Sequence, residues 1–314
     1  MRKNKNLIYI AGPTGVGKTD LSIEIAKKFN TDIVSCDSRQ FYKELKIGTS
    51  PPSYSQLKEV KHHFIHHKSI HDVYNVGKYE KDAITVINDL FKEKDNLILV
   101  GGSGLYADSI MFGIDDFPDV PLNMRNNIIA NFKSRGIESI QNKLKKLDPE
   151  YYEEVDLRNV NRIIRALEVI ELTGEKFSSL RTKKEKQRVF KSHVLIIETD
   201  REKLYKRINN RVDIMIKEGL EEEAFKLKDF KELNTLNTVG YKEFFSYFDD
   251  KLTYTQAVEK IKQNTRNYAK RQITWLKKYT NPVNVYNNQE IESIIIKLNQ
   301  VIWNYLRLYF YQSF

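Results

Sequence analysis

The chain has one cysteine, Cys36, in 314 residues, so no intramolecular disulfide can form. Its setting reads as a small buried residue at a strand end rather than a reactive thiol. No apolar run approaches the ~20 residues that a membrane helix needs. The longest, Leu7 to Ala11, is broken at once by Gly12 and Pro13. The basic start, Met1 to Lys5, is followed by an apolar stretch too short for the ~7–15-residue core of a secretory signal. With a mean hydropathy of -0.55, these absences lead to the expectation of a soluble, cytoplasmic protein without membrane attachment. Internal repeats and low-complexity tracts are lacking too. Acidic residues are in short supply, 42 against 52 Lys and Arg, which leaves a net charge of +10.

Hydrophobic residues make up 40% of the chain, enough for one large core, or for one domain carrying a smaller insertion. The basic surplus suits a polyanionic partner, and its placement says more than its size. Ala257 to Thr280 holds seven cationic residues, Lys260, Lys262, Arg266, Lys270, Arg271, Lys277 and Lys278, against Glu259 alone. Arg181 to Lys191 holds six against Glu185. Tyr268 and Trp275 sit among the first set. Cations interleaved with aromatics can track a nucleic-acid backbone; a solvated helix face is the plainer reading.

Leu7 to Ala11, Asp32 to Cys36, Leu97 to Val100 and Val194 to Glu198 read as short buried strands. Thr19 to Phe29 and Tyr79 to Phe91 show helical spacing of apolar residues, Leu21, Ile25, Ala26 and Phe29 in one and Ala83, Ile84, Ile87 and Leu90 in the other. Strand, glycine turn and helix in alternation predict an α/β fold, a P-loop NTPase-like parallel sheet flanked by helices. The strand signal then vanishes. Arg125 to Lys133, Ile137 to Leu147 and Asn159 to Leu172 read as helices, entered at Pro118 and Pro121. This predicts an all-helical subdomain, residues 114–186, inserted into a core formed by 1–113 and 187–314. Arg201 to Lys217, Gly219 to Lys228 and Thr255 to Lys278 read as helices packed on the sheet. The aromatic tail, Ile302 to Phe314, reads as an amphipathic packing helix.

Gly12-Pro13-Thr14-Gly15-Val16-Gly17-Lys18-Thr19 matches G-x-x-x-x-G-K-[ST], directly after a strand and opening a helix. Its glycines let successive backbone N–H groups converge on phosphate oxygens, with the helix dipole behind them. Lys18 adds a point charge, and the Thr19 hydroxyl is the candidate Mg²⁺ ligand. Such a loop specifies a polyphosphate without specifying ATP. A nucleotide or small-molecule kinase and another diphosphate-handling transferase both remain open on this motif. Asp37 ends the second strand, on the rim that the loop occupies. It can serve as a water-mediated Mg²⁺ ligand, as a general base or as a structural ion pair.

Several further segments occur in one order. They are Asp37-Ser-Arg-Gln-Phe-Tyr42, Ile47-Gly-Thr49, His62-His63, Val100-Gly-Gly-Ser-Gly-Leu-Tyr106 and Arg162-Ile-Ile-Arg-Ala-Leu-Glu168. Arg211 with Met215 and Gly219, Val239-Gly-Tyr-Lys-Glu243 and Thr265 to Trp275 complete the set. Together with the loop they resemble the bacterial tRNA dimethylallyltransferase family over most of the chain, from residue 7 to about 280.

The resemblance implies a dimethylallyl diphosphate donor bound with Mg²⁺, a tRNA anticodon stem-loop as partner, and an adenine flipped into a channel for transfer to its N6 amine. It implies Asp37 as general base, with Thr19 and Arg211 acting on the departing diphosphate beside Lys18. The implied RNA contacts are Asp37, Ser38, Arg39, Gln40, Ser103, Arg125 and the stretch Asn161, Arg162, Ile163, Ile164 and Arg165. Ser103 stands where the family usually has Thr, and Asn161 where it has Gln. The stretch Asp156 to Val160 departs from the family pattern.

Five of the six histidines lie between His62 and His71, with i, i+4 pairs that could hold a metal; no cysteine or carboxylate cluster accompanies them. Tyr241 and Trp275 could stack on bases or simply pack. Glu221-Glu222-Glu223 reads as charge at a helix N-terminus. Besides the kinase, a non-catalytic RNA-binding module and a prenyltransferase of free adenine nucleotides are competing readings.

Overall fold

The structure, a computed structural model, describes residues 5–182, 184–286 and 288–312, with Leu122 and 303–312 described as backbone only. Six strands form one sheet: β1 (Lys5–Ala11), β2 (Ile33–Ser35), β3 (His62–His63), β4 (Asn96–Val100), β5 (Phe190–Glu198) and β6 (Val283–Tyr286). The order is β3-β2-β4-β1-β5-β6, and every pair is parallel. β1 sits inside the sheet and buries both faces. Leu7, Tyr9 and Ala11 point to one apolar cluster, Ile8 and Ile10 to the other, which is the two-residue period of a strand covered on both sides.

Before the insertion the helices are α1 (Lys18–Phe29), α2 (Tyr54–Glu59), α3 (Val76–Leu90) and α4 (Gly104–Met111). Within it lie α5 (Leu122–Arg135), α6 (Ile137–Leu147), α7 (Pro149–Glu154), α8 (Val160–Thr173) and α9 (Phe177–Leu180). After it come α10 (Arg201–Lys217), α11 (Leu220–Lys226), α12 (Tyr241–Phe248), α13 (Tyr254–Leu276) and α14 (Ile291–Gln312). One face of the sheet packs Tyr79, Ala83 and Ile87 of α3 and Ala107 and Ile110 of α4. The other packs Ile25 and Ala26 of α1, Leu204 and Ile208 of α10, and Ile294 and Leu298 of α14. Each buried Ile or Leu side chain among these stabilises by about 1.5–3 kcal/mol. Asp200 caps α10 by accepting the N–H groups of Glu202 (2.9 Å) and Lys203 (3.0 Å). Thr253 and Gln256 form a capping box at the start of α13.

Gly113–Lys186 is a compact unit separate from Met1–Phe112 with Gln187–Phe314. Its core is built by Ile140 and Leu144 of α6, Ile163, Ile164 and Leu167 of α8, and Phe177 of α9. Two carboxylates are buried in it with their partners, as burial requires. Asp148 accepts from the backbone N–H groups of Tyr151 (3.1 Å) and Ser178 (2.7 Å) and from the Ser178 hydroxyl (2.8 Å). Glu168 pairs with Arg125 and Arg165.

The expected strands and long helices are present. The expectation missed β3, β6 and the short helices α2, α4, α7, α9 and α12. Strands of two and four residues and helices of four to eight leave too few residues for a periodicity to register. The aromatic tail is helical to Gln312; the packing expected of it lies outside the described side chains.

Candidate active site

The site is assembled at the C-terminal ends of three neighbouring strands. β2 is not beside β1; β4 lies between them. The loop after β1 and the segment after β2 therefore face each other across the turn that follows β4, and that turn is Gly101-Gly102. A Cβ on Gly101 would come within 2.6 Å of the Cys36 carbonyl carbon and 2.7 Å of the Asp37 nitrogen. A Cβ on Gly102 would lie 2.9 Å from Gln272 Nε2, 3.1 Å from Asp37 Oδ2 and 3.2 Å from the Tyr268 hydroxyl. The two missing side chains are what allow Asp37 to approach the phosphate loop.

Gly12 to Thr19 forms a tight turn in which Gly15 and Gly17 adopt φ of 82° and 99°, accessible to glycine at little cost. Lys18 Nζ donates to the carbonyl oxygens of Gly12 (2.9 Å) and Pro13 (3.0 Å). Burial pushes the Lys18 ammonium down to about 8, with nearby Arg211 acting in the same direction and Asp37 opposing. Val16 is fully buried and Pro13 has no N–H, so Val16 has only its backbone and Pro13 only its carbonyl to offer the loop interior.

A cavity of about 470 Å³ opens over the loop, lined by Thr14, Gly15, Gly17, Lys18 and Thr19, by Asp37 and Gln40, and by Arg207 and Arg211. Arg207 and Arg211 stand one turn apart on α10. Arg211 Nε donates to the Ser50 hydroxyl (2.8 Å), and burial lowers the Arg211 guanidinium while Asp37 raises it. Gln40 Nε2 donates to the carbonyls of Thr49 (3.1 Å) and Ser50 (3.0 Å), tying the same loop to the Asp37 segment.

A second cavity of about 340 Å³ is lined by Ser38, Arg39, Ser103, Thr238, Lys242 and Arg271 over an apolar floor that includes Val212, Met215 and Ile261. Thr14, Asp37, Thr49, Arg211 and Tyr268 line both cavities. Asp37 Oδ1 accepts the N–H groups of Arg39 (3.0 Å) and Gln40 (3.4 Å), while Oδ2 is on the side facing Gly102. A carboxylate thus stands on the wall that a polyanion cavity and a second, partly apolar cavity have in common. The arrangement can hold a diphosphate on one side and present a base to a second reactant on the other.

The expected residues fall into two groups. Gly12 to Thr19, Asp37 to Gln40, Ser103 and Arg211 converge on these cavities. Arg125, Asn161, Arg162 and Arg165 belong to the inserted unit, with Asn161 and Arg162 exposed and Arg165 half-buried. Ile163 and Ile164 are corrected: they are 0% and 3% exposed in the core of that unit and offer RNA no side chain. The basic stretches are corrected in part. Arg188 is buried against Glu80 (2.6 Å), Arg181 pairs with Glu154 (2.9 Å) and Lys186 with Asp116 (3.0 Å), so Arg181 to Lys191 is no open strip, Lys183 lying outside the described residues. On α13 and just after it, Lys262 pairs with Asp213 (2.8 Å) and Lys278 with Asp108, while Lys260, Lys270 and Lys277 stand exposed.

Tyr241 is fully buried and stacks on nothing from outside; its hydroxyl donates to Glu223 (2.6 Å). Glu223 does more than charge a helix end, since it also accepts the N–H groups of Lys46 (3.0 Å), Ile47 (2.9 Å) and Gly48 (3.1 Å). Trp275 packs where a Cβ on Gly104 would meet its ring at 2.2 Å. His63 pairs with Asp32 (2.8 Å), and His67 lies edge-on to Phe41, Phe64 and Tyr74. Among the described residues no group of three His, Cys, Asp or Glu could hold a metal.

Gln272, Arg207 and Ser50 are site residues that the sequence left without a role, and Tyr268, read there only as an aromatic among cations, lines both cavities. Gln272 and Tyr268 did fall within the matched Thr265 to Trp275 stretch, the one signal that could have marked them.

Fold and cradle define a P-loop protein whose polyphosphate cavity adjoins a second reactant cavity. The chain matches the family model described as IPP transferase over residues 40–279. It is 52% identical to a tRNA dimethylallyltransferase of Christiangramia forsetii over 87% of this chain and 90% of that protein. It is 49% identical to one of Flavobacterium psychrophilum over 88% and 92%. The solved tRNA isopentenylpyrophosphate transferase of Bacillus halodurans superposes with a TM-score of 0.67 at 32% identity, covering 96% of this chain and 97% of that one. A eukaryotic dimethylallyltransferase captured acting on tRNA gives a TM-score of 0.70 at 29% identity over 87% of this chain and 70% of its own. The chain belongs to the IPP transferase family, and the kinase reading is set aside.

Proposed function

We propose that this protein transfers the dimethylallyl group of dimethylallyl diphosphate to N6 of the adenine on the 3′ side of the anticodon in tRNA, releasing diphosphate. The observation that carries this reading is the shared wall: Asp37 borders the phosphate cavity and the second cavity at once.

The donor's diphosphate lies in the Gly12–Thr19 cradle against the backbone N–H groups, Lys18 and Arg211. The target adenine, turned out of its stack, enters the second cavity past Ser38, Arg39 and Ser103. Its N6 lone pair is delocalised into the ring, so the amine is a weak nucleophile. Asp37 takes the N6 proton as the C–N bond forms and the allylic C–O bond breaks, the electron pair leaving with the diphosphate. Lys18 and Arg211 stabilise the charge that develops on that leaving group. The residues fit a Mg²⁺ ion: hydroxyl and carboxylate oxygens of Thr19, Asp20 and Asp37 line one cavity, and such an ion draws its remaining ligands from phosphate and water. When bound at Thr19 it neutralises charge on the diphosphate. Asn161, Arg162, Arg165 and Arg125 of the insertion serve as RNA contacts, and the exposed lysines of α13 meet backbone phosphates. The protein works as a monomer in the cytoplasm, where its RNA substrate is found; no helix among the described residues is long and apolar enough to cross a membrane.

The test is a transfer assay with Mg²⁺, labelled dimethylallyl diphosphate and either unmodified tRNA or AMP. Label is expected in tRNA only; label confined to AMP would defeat the reading in favour of a nucleotide prenyltransferase.

A further inference from the structure

Gln272 is 7% exposed, and its amide spans the two halves of the site. Oε1 accepts the N–H of Thr14 at the tip of the phosphate loop (2.8 Å), and Nε2 donates to the Gly102 carbonyl (2.7 Å). The amide can face only one way. Turned over, its NH2 would oppose the Thr14 N–H and its oxygen the Gly102 carbonyl. Tyr268, one turn earlier on α13, donates its hydroxyl to the same Gly102 oxygen (3.0 Å). Gly102 is also where Asp37 Oδ2 comes closest to the turn. The chain of contacts therefore runs from the phosphate loop through one buried amide to the turn against which the base rests.

We propose that Gln272 is a positioning residue: it sets the phosphate loop in register with the Gly102 turn, and so fixes the distance between the departing diphosphate and the groups around Asp37. This deepens the transferase reading and rests on it. Gln272 holds the Thr14 N–H and the Gly102 carbonyl rather than either substrate's reacting atoms. Its loss thus leaves ground-state binding largely intact and misaligns the reacting groups, and misalignment is expressed in kcat.

Two substitutions separate this role from mere support of the fold. Gln272→Met keeps the length of the side chain and removes both hydrogen bonds. It is expected to lower kcat by about 10- to 100-fold, with KM for dimethylallyl diphosphate and for tRNA each within about threefold of wild type. Gln272→Glu keeps the acceptor for Thr14 but sets an oxygen against the Gly102 carbonyl when ionised. Once protonated it regains a donor at that position. Its kcat relative to wild type should therefore recover as pH falls from 8 towards 5.5, a rescue that a purely structural residue would not show. A Met variant with kcat within twofold of wild type overturns the proposal, as does a Glu variant whose relative kcat is flat with pH. The Glu profile decides the matter should the Met variant not fold. A wild-type enzyme that labels no tRNA would instead defeat the transferase reading itself, before either variant is made.

Discussion

The two cavities of the site are built in opposite ways. The phosphate cradle is a local object: eight consecutive residues, Gly12 to Thr19, supply its backbone donors, its ammonium and its hydroxyl. The second cavity is drawn from short stretches scattered along the chain from Thr14 to Arg271, and no single motif supplies it. What they share, Thr14 apart, comes from outside the Gly12–Thr19 motif, Asp37 and Arg211 above all. A generic anion hole thus gains its chemistry from what is packed against it. The P-loop is necessary for the leaving group and says little of the nucleophile.

If that division is real, damage to one cavity should leave the other's ligand in place. The largest effect is expected for Lys18→Ala. Loss of this charge should lower kcat/KM for dimethylallyl diphosphate by about 10³-fold, while gel-shift affinity for the anticodon stem-loop stays within twofold. An equal loss of RNA affinity would mean that the cavities are not separable.

A second effect concerns stability. Glu223 holds Lys46, Ile47 and Gly48 in place beside the shared wall. Glu223→Gln presents an NH2 to those N–H groups and should cost about 2 kcal/mol, read as a fall of about 4–8 °C in thermal midpoint. An unchanged midpoint would show that this clamp contributes nothing.

A third follows from the depressed Lys18. In the free enzyme its charge is lost as pH rises through about 8, whereas a bound diphosphate favours the charged form. Donor kcat/KM should decline above that pH while kcat persists to higher pH. A kcat/KM that stays level to pH 9.5 contradicts the assignment. The smallest effect is reserved for the outer surface. Lys270→Ala should weaken stem-loop binding by about two- to fivefold and reduce the salt slope by roughly 0.7–0.9, without altering donor KM. An unchanged slope would remove Lys270 from the RNA footprint.

The same contrast explains what could be read beforehand. The cradle, the buried strands and the long helices such as Arg201–Lys217 were legible, because each is specified by neighbours in the chain. Asp37 was legible as a strand-end carboxylate on the right rim. That β4 lies between β1 and β2 was not, and it is this order that makes Gly101 and Gly102 essential spacers. Gln272 carried no signal beyond the matched stretch around it: its amide matters only because Thr14 and Gly102, far apart in sequence, end within hydrogen-bond reach of it. The basic runs misled in part, since Arg188 and Lys262 spend their charge on Glu80 and Asp213 inside the fold. Ile163 and Ile164 lay in a stretch matched as a whole, whereas a helix with about 3.6 residues per turn carries adjacent residues onto its buried face together.

The central claim is that one carboxylate serves both cavities. It is tested most directly by single-turnover transfer with Asp37→Ala, with stem-loop affinity measured in parallel. The account predicts transfer slowed by about 10²–10⁴-fold with RNA still bound at near-wild-type strength. Transfer at a near-normal rate would contradict it.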